Sequence, residues 1–143
     1  MKLIWAILCR DSSIDVDNNL VSVFNCLEKV EFSVDKTKLN SASQVNPLAF
    51  PADYQILSSW EIIDASKDNK LEFKIEIVDP ANKILKTFEN TFSIKQGSSM
   101  FRHRAKFQGL PFTVPGKYRF NLYQKKEADK YELVSSIPLD IKF

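Results

Sequence analysis

From residue 115 the chain reads Pro-Gly-Lys-Tyr-Arg-Phe-Asn-Leu-Tyr, and this stretch constrains the fold more than any other. Pro115-Gly116 is a turn signal. Beyond it Tyr118, Phe120 and Leu122 alternate with Lys117, Arg119 and Asn121. A period of two places successive side chains on opposite faces, so the segment predicts a half-buried β-strand with one apolar and one polar face.

The same alternation recurs along the chain. Lys2 to Cys9 is almost continuously apolar and predicts a first strand covered on both faces. Asp11 to Asn19 reads as a polar loop. Leu20 to Phe24, Glu28 to Val34, Asp53 to Ile63, Lys70 to Val78, Ile84 to Lys95 and Met100 to Phe107 each predict a strand. The cleanest is Lys70 to Val78, with Leu71, Phe73, Ile75 and Ile77 inward and Glu72, Lys74 and Glu76 outward. Asp79-Pro80-Ala81-Asn82 predicts a hairpin turn. The last strand places Tyr131, Leu133, Ile137, Leu139, Ile141 and Phe143 on one parity, and Pro138 within it predicts an edge position or a bulge. Asp35 to Pro51 reads as a long polar loop, of a length often associated with function.

Strand follows strand without the spacing of crossover helices, which argues for antiparallel sheets. The expectation is an all-β, two-sheet sandwich of about eight or nine strands, with a closed barrel as the alternative. The 143 residues fit one domain, 1–143. The chain is 44% hydrophobic and 27% charged, which leaves enough apolar material for a core without staples.

The N-terminal apolar run stops at Arg10-Asp11, too short and too poorly ended for a secretory signal. Together with the lack of a membrane-spanning run, this predicts a cytoplasmic protein. Cys9 and Cys26 read as two buried reduced thiols, with a disulfide as an alternative that spacing alone does not decide.

Gly116-Lys117-Tyr118 is similar to the tyrosine corner of immunoglobulin-like sandwiches, where a phenol anchors the crossing between sheets. Other short patterns are Ala6 to Asp11, Asn19 to Asn25, Phe50-Pro51, Val78-Asp79-Pro80, Pro111-Phe112, Pro115 to Phe120 and Ile137-Pro138-Leu139. Together they resemble an uncharacterised bacterial and phage family of small β-sandwich proteins. Arg10 departs from that pattern, where an acidic residue is expected after the cysteine. The resemblance implies an immunoglobulin-like fold and carries over no catalytic residues.

Read for chemistry, the residues point away from an enzyme. His103 is the one histidine, and its parity groups it with Phe101, Ala105 and Phe107, as a packed side chain. A Cys–His nucleophile would need one of the cysteines beside it and a third, orienting group. Asp15-Val16-Asp17-Asn18-Asn19 lacks the glycine and the final glutamate of a calcium loop and reads as an Asx turn. Glu72 and Glu76 stand roughly 13 Å apart on a strand, beyond the about 5–9.5 Å of paired glycosidase carboxylates. The three glycines form no phosphate loop. No cofactor and no metal are expected.

The net charge of +2 says little by itself. Arg102, Arg104 and Lys106 nevertheless share one parity, as do Lys117 and Arg119. If the two strands are neighbours, five cations lie on one sheet face. A solvated face balanced by Glu72, Glu76 or Glu89 is the plain reading. The functional expectation is a non-catalytic structural or protein-interaction module, binding another protein or itself, with nucleic acid or another polyanion as the alternative partner.

Overall fold

The structure, a computed structural model, describes residues 1–31, 48–49, 53–109, 111–112, 114–126 and 129–142. Eleven strands occur among them: β1 (Lys2–Ile14), β2 (Val21–Cys26), β3 (Lys29–Glu31), β4 (Leu48–Ala49), β5 (Asp53–Glu61), β6 (Asn69–Val78), β7 (Ile84–Ile94), β8 (Met100–Gln108), β9 (Pro111–Phe112), β10 (Gly116–Lys125) and β11 (Tyr131–Lys142). Nine of them form two sheets, ordered β2-β1-β5-β8 and β3-β11-β10-β6-β7, and the second sheet curls into a half-barrel. β4 and β9 form a separate two-stranded pair. The all-β reading and the two-sheet count hold. No helix among the described residues is long and apolar enough to cross a membrane.

The core lies between the sheets. β6 contributes Leu71, Phe73, Ile75 and Ile77, each almost fully buried, as its alternation predicts. They meet Tyr118, Phe120 and Leu122 of β10 and Leu8, Ile56 and Trp60 from the other sheet. Burying each such side chain is worth about 1.5–3 kcal/mol. Trp60 donates its indole N–H to the Ser58 hydroxyl at 3.0 Å, so its polar edge is satisfied inside the core.

Hairpin chemistry follows the sequence at residues 79–83. The Asp79 carboxylate accepts from the amides of Ala81 at 2.9 Å and Lys83 at 2.7 Å. Asn82 takes φ 65°, a conformation asparagine tolerates.

Four expectations are corrected. β1 does not end at Cys9 but runs through Ile14, because Asp11 to Ile14 pair with Phe24 to Val21; the loop shrinks to the turn after Ile14. Nor is β1 covered on both faces throughout, since Ile4 is exposed. β3 pairs with β11 in parallel, because the chain changes sheets after β2 and runs beside β11 in the same direction. The parity of β11 breaks between its two ends: Leu122 faces Ser135 while Tyr123 faces Leu133, so Val134 is an extra residue. Val134 packs on the core and Leu133 is 55% exposed, which puts Tyr131 and Leu133 out of step with Ile137, Leu139 and Ile141. Glu76 faces outward but is buried, held by Lys74 at 2.6 Å.

Pro138 pairs with Arg119 on one side of β11, while β3 joins the other side only from Asp140 onward. Its missing N–H therefore falls where β11 has no second neighbour among the described residues. Of the long loop at 35–51, only Leu48–Ala49 lie within the described residues.

Candidate binding face on strand β8

β8 is the last strand of the four-stranded sheet, and among the described residues it pairs with β5 alone. Its alternation decides which side chains meet the core. Phe101, Ala105 and Phe107 pack inward, and His103 lies with its ring centroid 4.8 Å from those of Phe73 and Phe92. Burial pushes the His103 imidazole down to about 4, so it is a neutral packing group. Cys9 is opposite Gln55, which is opposite Lys106, so its thiol and His103 belong to opposite faces of the sheet.

Arg102, Arg104 and Lys106 occupy the outward parity. Their partners across β5 are Ser59, Leu57 and Gln55, none of them acidic. Arg104 reaches across the sheet and donates to the Ser12 carbonyl at 3.4 Å. Lys117 and Arg119 belong to β10 in the other sheet, where Lys117 stands opposite Asp140 and Arg119 opposite Pro138 and Val78. The five cations therefore do not share a face. A shared face required the two strands to be neighbours, and β8 and β10 join different sheets, with the β9 segment between them in the chain.

The expected counter-charges are also elsewhere. Glu72 serves Lys70 at 3.2 Å and Lys125 at 3.7 Å, and Glu76 serves Lys74. All three lysines belong to the five-stranded sheet or its hairpin. Among the described residues, none of Arg102, Arg104 and Lys106 lies within ion-pair distance of a carboxylate.

At the Lys106 end the face opens into a cleft of about 520 Å³ between β1, β5 and β8. Arg10 and Lys106, Asp11 and Asp53, and the amides of Gln55 and Gln108 line it. Gln55 is buried and reaches toward Asp11 at 3.5 Å, and its side-chain oxygen has no donor among the described residues. Mixed charge with paired amides suits the recognition of polar backbone or side-chain groups. Sequence reading missed this cleft because Arg10, Asp53 and Gln108 are far apart in the chain and only the register of β1-β5-β8 assembles them.

The Asp15 turn is an Asx turn: its carboxylate accepts from the amides of Asp17 at 2.8 Å and Asn18 at 3.2 Å. Cys9 is buried as expected, whereas Cys26 is exposed, because it ends β2 at the edge of its sheet.

A family model described as a family of unknown function, DUF6941, matches residues 36–141. No curated protein matches the chain.

Proposed function

The chain belongs to the DUF6941 family of unknown function, and from that premise we propose that it is a non-catalytic binding module that takes an acidic, extended protein segment against β8. The observation that carries this reading is a nine-residue edge strand with three outward cations, no carboxylate opposite them, and no second strand beside it among the described residues.

An exposed edge offers a row of backbone donors and acceptors to an added strand. Charged side chains on such an edge discourage random pairing and select a partner of opposite charge. β7 ends the other sheet on the same side: Phe88 lies 4.7 Å from Phe107 and Phe92 lies 5.3 Å from Phe101, ring to ring. The two edges, each without a second strand among the described residues, flank one aromatic seam, which gives an incoming segment an apolar floor beside the cationic rim.

The finer fold assignment, an immunoglobulin-like sandwich, is part of this proposal. Its support is the Tyr118 phenol, which bonds back to the backbone of Val114 as a tyrosine corner does. The polyanion alternative loses its main premise with the separation of Lys117 and Arg119 from the β8 cations.

Affinity capture from extract of the source cell, with and without nuclease, tests the proposal. Wild type retains a discrete protein in both conditions, and Arg102→Ser/Arg104→Ser/Lys106→Ser loses it. Capture abolished by nuclease contradicts the protein-binding reading.

A further inference from the structure

We infer that Cys9 and Cys26 form a reversible cross-strand disulfide: the pair is a thiol-oxidation site that staples β2 to β1 where the chain leaves the first sheet.

The register carries the inference. Cys9 and Cys26 are directly opposite in the antiparallel β1–β2 pair. Residues so placed have Cα atoms about 4.5–5.5 Å apart, whichever kind of antiparallel pair they occupy. That range lies within the about 4.4–6.8 Å over which a disulfide closes without moving the backbone. Opposed residues also direct their side chains to the same face. Consistent with that, the Cys26 thiol is among the influences that raise the pKa of Cys9, after burial itself.

The two thiols differ in access. Cys26 is exposed and Cys9 is buried. The exposed sulfur meets an oxidant first, and the buried one resolves the product. With a low-molecular-weight disulfide such as oxidised glutathione as oxidant, Cys26 gives up its proton and its sulfur attacks one glutathione sulfur. The S–S bond breaks, and one glutathione leaves and takes up that proton. Cys9 then gives up its proton and attacks the Cys26 sulfur of the mixed disulfide. The second glutathione leaves with that proton. Two protein thiols are oxidised and one glutathione disulfide is reduced to two thiols.

The location gives the bond a structural consequence. Asn25 takes φ 53°, Leu27 donates its amide to the Leu8 carbonyl at 2.9 Å, and Asp140 donates to the Glu28 carbonyl at 2.9 Å. These few contacts guide the chain from β2 across to β3 and β11. A Cys9–Cys26 bond would fix the start of that crossing covalently, in an edge strand that pairs with β1 alone among the described residues.

The test is titration of the full chain in glutathione redox buffers, read by free-thiol count, intact mass and non-reducing peptide mapping. The expected product is a monomer that has lost both thiols and two hydrogens, with the Cys9 and Cys26 peptides joined. Cys26→Ser, a change at an exposed position, is expected to leave the Cys9 thiol unreacted under the same conditions. Three results would overturn the inference: a stable glutathione adduct on Cys26 with Cys9 still free, a disulfide-linked dimer, or equal oxidation of Cys9 in Cys26→Ser.

Discussion

The Tyr118 hydroxyl donates to the Val114 carbonyl at 2.8 Å, four residues upstream, and its oxygen lies 3.3 Å from the Val114 amide. Tyr118 is completely buried within the core cluster. The phenol thus joins the start of β10 to the segment that leads into it. Tyr118→Phe keeps the ring and leaves the Val114 groups without that partner, and is expected to cost about 1–3 kcal/mol. Denaturant unfolding, with an unchanged m value, measures it.

Gly116 precedes this corner with φ 137°, and an added Cβ would lie 2.9 Å from Cγ of Pro80. Gly97 also takes a positive φ, 89°, but has nothing within 4 Å of that position. Gly97→Ala is therefore expected to cost only backbone strain, about 1–2 kcal/mol. Gly116→Ala adds a clash with a rigid ring and is expected to cost more than Gly97→Ala. Equal losses in paired denaturation curves would contradict the contact between the two turns.

His103 stays neutral in the folded chain down to about pH 4, while the unfolded chain protonates near the ordinary 6.5. Between these values the unfolded state binds more protons. The contribution of His103 to stability is therefore complete above about 6.5 and is lost as pH falls toward 4. The chain has one histidine, so a single imidazole resonance reports the titration. A midpoint near 4 is expected, and one near 6.5 would place His103 in solvent.

Much of the fold was legible because period two is a local signal. Leu71, Phe73, Ile75 and Ile77 declare their face within eight residues, and the structure buries all four. Tyr131 and Leu133 show where that signal fails: a single inserted residue, Val134, flips every side chain beyond it. Arg102 and Arg119 show a second limit. Alternation sets each outward on its own strand, but their separation into two sheets depends on pairing among distant strands, which alternation does not encode. The cleft at Gln55 belongs to the same class, since its lining comes from three strands brought together only by register.

The separation of the cations makes a direct test of the binding face available. Two baits, Arg102→Ser/Arg104→Ser/Lys106→Ser and Lys117→Ser/Arg119→Ser, remove positive charge from different sheets. Quantitative capture of the retained protein from source-cell extract, beside wild type, compares them. The account predicts a loss of at least about tenfold for the β8 bait and retention for the β10 bait. Loss in the β10 bait with retention in the β8 bait would contradict it.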